Sequence, residues 1–321
     1  MCNNAFNSRM MKQITNHIMM IRPVSFRYNE ETAINNYYQK VLNDITSDVT
    51  QERALKEFNH FVSMLRKVGV NVIVFNDSFH FNTPDSIFPN NWVSFHANSM
   101  VGLYPMYAVN RRNERRKDIL DLLVNKYHFE IKSIKDFTYF EVENKFLEGT
   151  GSMVLDRVNK ICYAALSVRT DKEIVKKFCS DFNYTAICFT AKQDVVDRRM
   201  EIYHTNVMMC IANNFAVVCL DSIDDLNEKD NLIKSLNSTG KDIIEISEKQ
   251  KNRFAGNMLQ VMGKEPYLVM STSAYQSLND IQIKKINNHC AILHAPLDTI
   301  EACGGGSARC MMAEIFLPKK K

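Results

Sequence analysis

The sequence predicts an α/β chain of five ββαβ modules closed into a ring, and three observations predict it. The order hairpin, helix, strand recurs five times along the 321 residues. The fifth hairpin can be completed only by joining the two ends of the chain. Residues able to carry chemistry recur at one place in successive modules, at or just before the first strand of each hairpin.

The helices are read from apolar residues at helical spacing between polar ones, over Gln51–Val68, Arg112–Tyr127, Thr170–Phe182, Ser222–Asn237 and Leu278–Asn288. Leu55, Phe58, Phe61, Val62 and Leu65 form one such stripe. After each helix comes a short apolar run suited to a buried strand: Val70–Phe75, Phe129–Ile134, Tyr184–Phe189, Asp242–Ile246 and Cys290–His294. These are expected to be the inner strands. Before four of the helices stand two apolar runs joined by a turn signal. They are Trp92–Phe95 with Val101–Tyr104, Ser152–Leu155 with Ile161–Leu166, Thr205–Ile211 with Phe215–Leu220, and Met258–Val261 with Tyr267–Met270. The remaining pair is Arg309–Phe316 with Ile14–Ile21, which closes the ring. No low-complexity segment or long linker interrupts the series, so a single domain over 13–321 is expected after a loose polar tail over 1–12. A doubly wound sheet explains strand–helix alternation but not the hairpin before each helix.

Composition narrows the function class. Forty basic against 36 acidic side chains give a mild positive charge, short of the bias of a nucleic-acid binder. Nine cysteines without a CxxC pair fit a reducing compartment better than a disulfide framework or a zinc ribbon. The start lacks the apolar core of a signal peptide, and no stretch approaches a membrane span. A soluble cytoplasmic protein is expected, without metal, nucleic-acid or membrane partner. Its size is compatible with a homodimer.

A ring brings equivalent positions around one axis. Those positions hold Asn91, Glu148, His204, Asn257 and Cys310, separated by 57, 56, 53 and 53 residues. A cysteine attacks as thiolate and needs a base, and a His oriented by a carboxylate can take its proton and later protonate a leaving amine. Cys310 is therefore the candidate nucleophile, His204 the acid/base and Glu148 the orienting group. Gly304-Gly305-Gly306 before Cys310 would let backbone approach a substrate closely. Cys303, on the other side of these glycines, is the rival nucleophile.

These residues carry a resemblance. Pro84-Asp85-Ser86-Ile87-Phe88-Pro89-Asn90-Asn91-Trp92, Glu148-Gly149-Thr150-Gly151-Ser152, His204-Thr205-Asn206 and Gly304-Gly305-Gly306-Ser307-Ala308-Arg309-Cys310 resemble the amidinotransferase and deiminase superfamily. With Met20-Ile21-Arg22-Pro23 they look most like its citrulline-utilising hydrolase branch, over nearly the whole chain. The resemblance implies the pentein fold, a five-bladed αβ propeller about a pseudo-fivefold axis, and covalent catalysis through Cys310 without metal or organic cofactor.

Departures from the superfamily bear on substrate. Arginine deiminases in it grip the guanidinium with an Asp in the block matched by Phe88-Pro89-Asn90-Asn91 and another two residues after the His. Here Asn91 and Asn206 stand there. A buried guanidinium without anionic partners meets a penalty of several kcal/mol, whereas a neutral ureido group matches an amide that both donates and accepts. Citrulline, hydrolysed to ornithine, ammonia and carbon dioxide, is the expected substrate. By the same resemblance Arg111 and Arg169 would bind the substrate carboxylate and Asp85 the α-ammonium; Asn257, at the equivalent position of the fourth module, is expected to line the same pocket. Open alternatives are an arginine deiminase, a dimethylarginine hydrolase, an amidinotransferase in which an amine resolves the Cys310 adduct, and a silent propeller that only binds.

Overall fold

The computed structural model describes residues 12–42 and 45–320. The tail expected over 1–12 lies, apart from Lys12, outside the described residues. The fold is mixed α/β and contains five three-stranded sheets, each built alike. In each, the first two strands pair antiparallel and the third runs parallel to the second after a helix. In the second to fifth sheets the strands are Val93–Phe95, Met100–Leu103 and Ser133–Asp136, then Val154–Asp156, Ile161–Ala165 and Thr185–Phe189. Next come Met209–Ile211, Phe215–Val218 and Asp242–Glu245, then Leu259–Met262, Pro266–Ser271 and Ala291–Ala295. The first sheet joins the ends of the chain: Ala313–Glu314 pairs antiparallel with His17–Arg22, which runs parallel to Asn71–Asn76.

The helices between second and third strands follow the sequence reading. Ser47–Lys67 starts where the Thr46 hydroxyl accepts from the Val49 N–H, and it buries Phe58, Phe61, Val62 and Leu65. Lys172–Phe182 and Leu226–Ser238 are capped in the same way by Asp171 and Asp225. Their apolar stripes fill the spaces between sheets. Leu226–Ser238, for example, packs on Thr185–Phe189 of the preceding sheet as well as on Asp242–Glu245 of its own.

Two expectations are corrected. The strands after the helices are edge strands, not inner ones, and the first strands lie innermost: Met209–Ile211 packs on Val154–Asp156, and Ala313–Glu314 on Val93–Phe95. The apolar runs after the helices face helices on either side, which makes them hydrophobic without making them central. In the second module the strand is Ser133–Asp136 and not Phe129–Ile134. Phe129 is drawn into the core, its ring edge-on to His17 and beneath the Lys319 ammonium, so pairing starts later. An additional hairpin, Lys192–Val195 with Arg198–Glu201, lies outside the five-sheet repeat.

Candidate active site

The five equivalent positions all fall just ahead of a first strand. Asn91 ends a 3-10 turn before Val93, and Glu148 precedes the short helix Gly149–Ser152. His204 precedes the turn Thr205–Val207, Asn257 stands two residues before Leu259, and Cys310 three before Ala313. All five are buried. Close backbone approach makes this convergence feasible. A Cβ on Gly149, whose φ is +48°, would stand 2.3 Å from the Asn90 carbonyl oxygen. One on Gly151 would stand 2.3 Å from Asn91 Nδ2 and 2.8 Å from His204 Nδ1.

The structure brings Glu148 and His204 together, with His204 Nε2 2.7 Å from Glu148 Oε2. Oε1 of Glu148 accepts the Tyr107 N–H at 2.9 Å. Arg169 Nη1 lies 3.5 Å and Arg111 Nη1 3.9 Å from Oε2. Burial alone would raise the Glu148 pKa, but Arg169, the His204 hydrogen bond and Arg111 outweigh it and hold the carboxyl below its usual range. For His204 burial is the largest influence and the two arginines reinforce it, so its pKa is pushed down to about 4 despite Glu148. An ionised Glu148 can only accept, which places the imidazole proton on Nε2 and the lone pair on Nδ1.

Around Cys310 the partners are amides. Asn206 Nδ2 lies 3.4 Å and Asn257 Nδ2 3.2 Å from Sγ. Asn257 is oriented by its own Oδ1, which accepts the Arg309 N–H at 3.0 Å. Among the described residues no hydrogen bond joins His204 to Cys310. Two buried acceptor atoms at predicted positions have no partner, Asn206 Oδ1 and Asp85 Oδ1. A ligand that donates at both ends would satisfy them.

The remaining predicted residues are close by, in company the sequence did not disclose. Arg111 makes a two-pronged pair with Glu114, at 2.8 and 2.9 Å, and donates to Asn91 Oδ1 at 2.9 Å. Its guanidinium is thus occupied by protein, and the i,i+3 spacing of Arg111 and Glu114 was the signal available for it. Arg169 donates to Asn35 Oδ1 at 2.7 Å and to the Thr32 carbonyl at 2.8 Å, with its guanidinium against the Tyr203 ring. Asp85 Oδ2 accepts from Asn29 and from Thr32 Oγ1. Asn29, Thr32 and Asn35 belong to a segment without periodicity, and nothing in their spacing marks them.

The glycine block serves a different neighbour from the one expected. A Cβ on Gly304 or Gly306 would collide with the Phe88 ring, and one on Gly305, at φ +62°, with Asn36. The glycines make room for protein side chains that wall the site. Cys303 sits on the helix Asp298–Gly304 in the apolar core, its thiol pKa raised by burial and then by Glu57. Among the described residues no cluster of His, Cys, Asp and Glu could hold a metal ion, all eight cysteines are free thiols, and no helix is long and apolar enough to cross a membrane.

Fold and site together define a member of the pentein superfamily of amidinotransferases and dimethylarginine hydrolases. Solved structures share the fold at low identity. The apo structure of ArgZ, described as an arginine dihydrolase from the ornithine–ammonia cycle in cyanobacteria, superimposes with a TM-score of 0.72 at 15% identity over 95% of this chain. The chain spans 41% of that protein, and 100% of its N-terminal domain in a product-bound structure (TM-score 0.70, 17% identity, 96% of this chain). A dimethylarginine dimethylaminohydrolase variant carrying an S-methyl-L-thiocitrulline adduct gives a TM-score of 0.64 at 14% identity, over 94% of this chain and 100% of that one. No curated protein matches by sequence. The family model for eukaryotic N,N dimethylarginine dimethylhydrolase matches residues 22–317, and the chain belongs to that family, whose members hydrolyse carbon–nitrogen bonds.

Proposed function

We propose that this protein is a cysteine-dependent hydrolase of the ureido group of L-citrulline, and that its five sheets are the blades of a single-domain αβ propeller with the site at the axis. The observation that carries the substrate is the amide pair: Asn91 and Asn206 stand where a guanidinium would need carboxylates, and Asn206 Oδ1, beside Cys310, is buried without a partner. A neutral N–H of the ureido group can donate to it, and the amide leaves no charge behind.

The geometry supports the following roles. The Cys310 sulfur attacks the ureido carbon, and His204, neutral at rest with its lone pair on Nδ1, takes up the thiol proton. Negative charge on sulfur is met by the Asn206 and Asn257 N–H groups. The tetrahedral species collapses by breaking one C–N bond, and His204, its positive charge stabilised by Glu148, protonates the departing amine. Water adds to the resulting thiocarbamate, the C–S bond breaks, and the released carbamate yields carbon dioxide and the second amine. The balance is citrulline plus water giving ornithine, ammonia and carbon dioxide. Arg169 binds the substrate carboxylate in exchange for Asn35 and Thr32, and Asp85 Oδ1 takes the α-ammonium. Arg111, committed to Glu114, serves by orienting Asn91.

A second reading is hydrolysis of arginine itself to ornithine, since ArgZ is described as an arginine dihydrolase. One assay separates these readings: L-citrulline, L-arginine and dimethylarginine are incubated separately, with ornithine, citrulline, ammonia and dimethylamine followed and Cys310→Ala as control. Ornithine from citrulline alone, lost in the variant, supports the proposal. Ornithine from arginine supports the second reading and overturns the role given to the amides. Citrulline from arginine, or dimethylamine from dimethylarginine, overturns the role given to the amides.

A further inference from the structure

A cleft of about 510 Å³ is lined by Tyr38, Lys40, Gln193, Arg253, Asp298 and Glu301 among others. Its size falls in the range of small-molecule sites. It lies where the additional hairpin Lys192–Glu201 meets the segment that holds Arg169, and the proposed reaction does not use it.

Gln193 is 4% exposed, and its Nε2 has no partner. Its Oε1 faces the Lys251 ammonium at 3.2 Å. Lys251 is itself fully buried, and among the described residues no carboxylate stands within ion-pair distance of it. Burial pushes its pKa down to about 8, against weaker support from Cys219 and Glu248. An orphaned donor next to a buried cation that has no carboxylate at ion-pair distance can take an anion. Asp298, which is exposed, and Glu301 line the same cleft with Lys40 and Arg253, so a small zwitterion meets side chains of both signs there.

We propose that this cleft is a second binding site, specific for a free α-amino acid, whose carboxylate accepts from Gln193 Nε2 above Lys251 and whose ammonium is turned to Asp298 and Glu301. Both sides of the cleft lead to catalytic groups. Tyr38 packs edge-on to Tyr203, which donates to the Gly305 carbonyl at 2.6 Å and lies against the His204 ring. Glu301 accepts from Ser307 Oγ at 2.5 Å, and the Ser307 carbonyl accepts the Cys310 N–H at 3.0 Å. An occupant therefore bears on both the acid/base and the nucleophile.

Equilibrium binding of radiolabelled L-ornithine to the full chain tests this, with Gln193→Leu and Gln193→Glu as variants. The Glu variant keeps an acceptor for Lys251 and replaces the donor by a charged acceptor that repels a carboxylate. Two molecules bound per wild-type chain, one of them weakened at least tenfold in both variants, supports the site. One molecule per chain, lost in both variants, supports the site while overturning ornithine as a ligand of the catalytic centre. One molecule unaffected by either variant, or none, overturns the proposal.

Discussion

The two halves of the proposed active site are built on opposite electrostatic plans. On the acid/base side Glu148, His204, Arg169, Arg111, Glu114 and Asp85 form a dense buried ionic network. On the Cys310 side, the side chains that donate to Sγ among the described residues are the neutral amides of Asn206 and Asn257. Buried ions hold one another in place at a desolvation cost, so the ionic half fixes geometry and a protonation state. Amides adapt as donor or acceptor, so the neutral half can accommodate a substrate group without formal charge.

The contrast can be broken most severely at its ionic half. Glu148→Gln should lower kcat by about 10⁴-fold, as when a histidine loses its orienting carboxylate. It should also destabilise the fold by about 3–5 kcal/mol, because Arg169 and Arg111 lose a buried counter-ion; urea unfolding monitored beside activity reads both effects. On the neutral side Asn257→Ala should slow alkylation of Cys310 by iodoacetamide and lower kcat about 10–100-fold, while stability changes by only about 1–3 kcal/mol. Equal stability losses in the two variants would erase the distinction.

A smaller effect is the pH response. The folded-state pKa of His204 is pushed from 6.5 down to about 4. Between these values the unfolded chain binds a proton that the folded chain does not, so this group's effect is to lower stability as pH falls from 6.5 towards 4. The acid limb of kcat/KM should correspondingly lie near pH 4, and a limb at pH 6–7 would contradict the placement of His204. Smallest of all, Glu52→Ala, which removes an exposed pair with Lys56 on the helix Ser47–Lys67, should leave the urea midpoint unchanged within error.

The five repeated sheets were legible because their signals are local. Helical stripes and paired apolar runs are short-range patterns, and Asn91, Glu148, His204, Asn257 and Cys310 could be aligned by spacing alone. What escaped was long-range. Radial order within a sheet depends on which elements pack on each face, and an apolar run such as Thr185–Phe189 reads the same at an edge as at a centre. The contacts of Arg169 with Thr32 and Asn35 span 137 and 134 residues and leave no periodic trace. The glycines before Cys310 were recognised as sites of close approach, but what approaches them, Phe88 and Asn36, is set by tertiary packing.

The central claim is that the neutral amides select a ureido group over a guanidinium. Replacing both, in the double variant Asn91→Asp with Asn206→Asp, and comparing kcat/KM for L-citrulline and L-arginine with the wild type tests it most directly. The account predicts that the ratio shifts towards arginine by about 100-fold or more, the equivalent of roughly 3 kcal/mol of differential binding. An unchanged ratio, with both substrates affected alike, would contradict it.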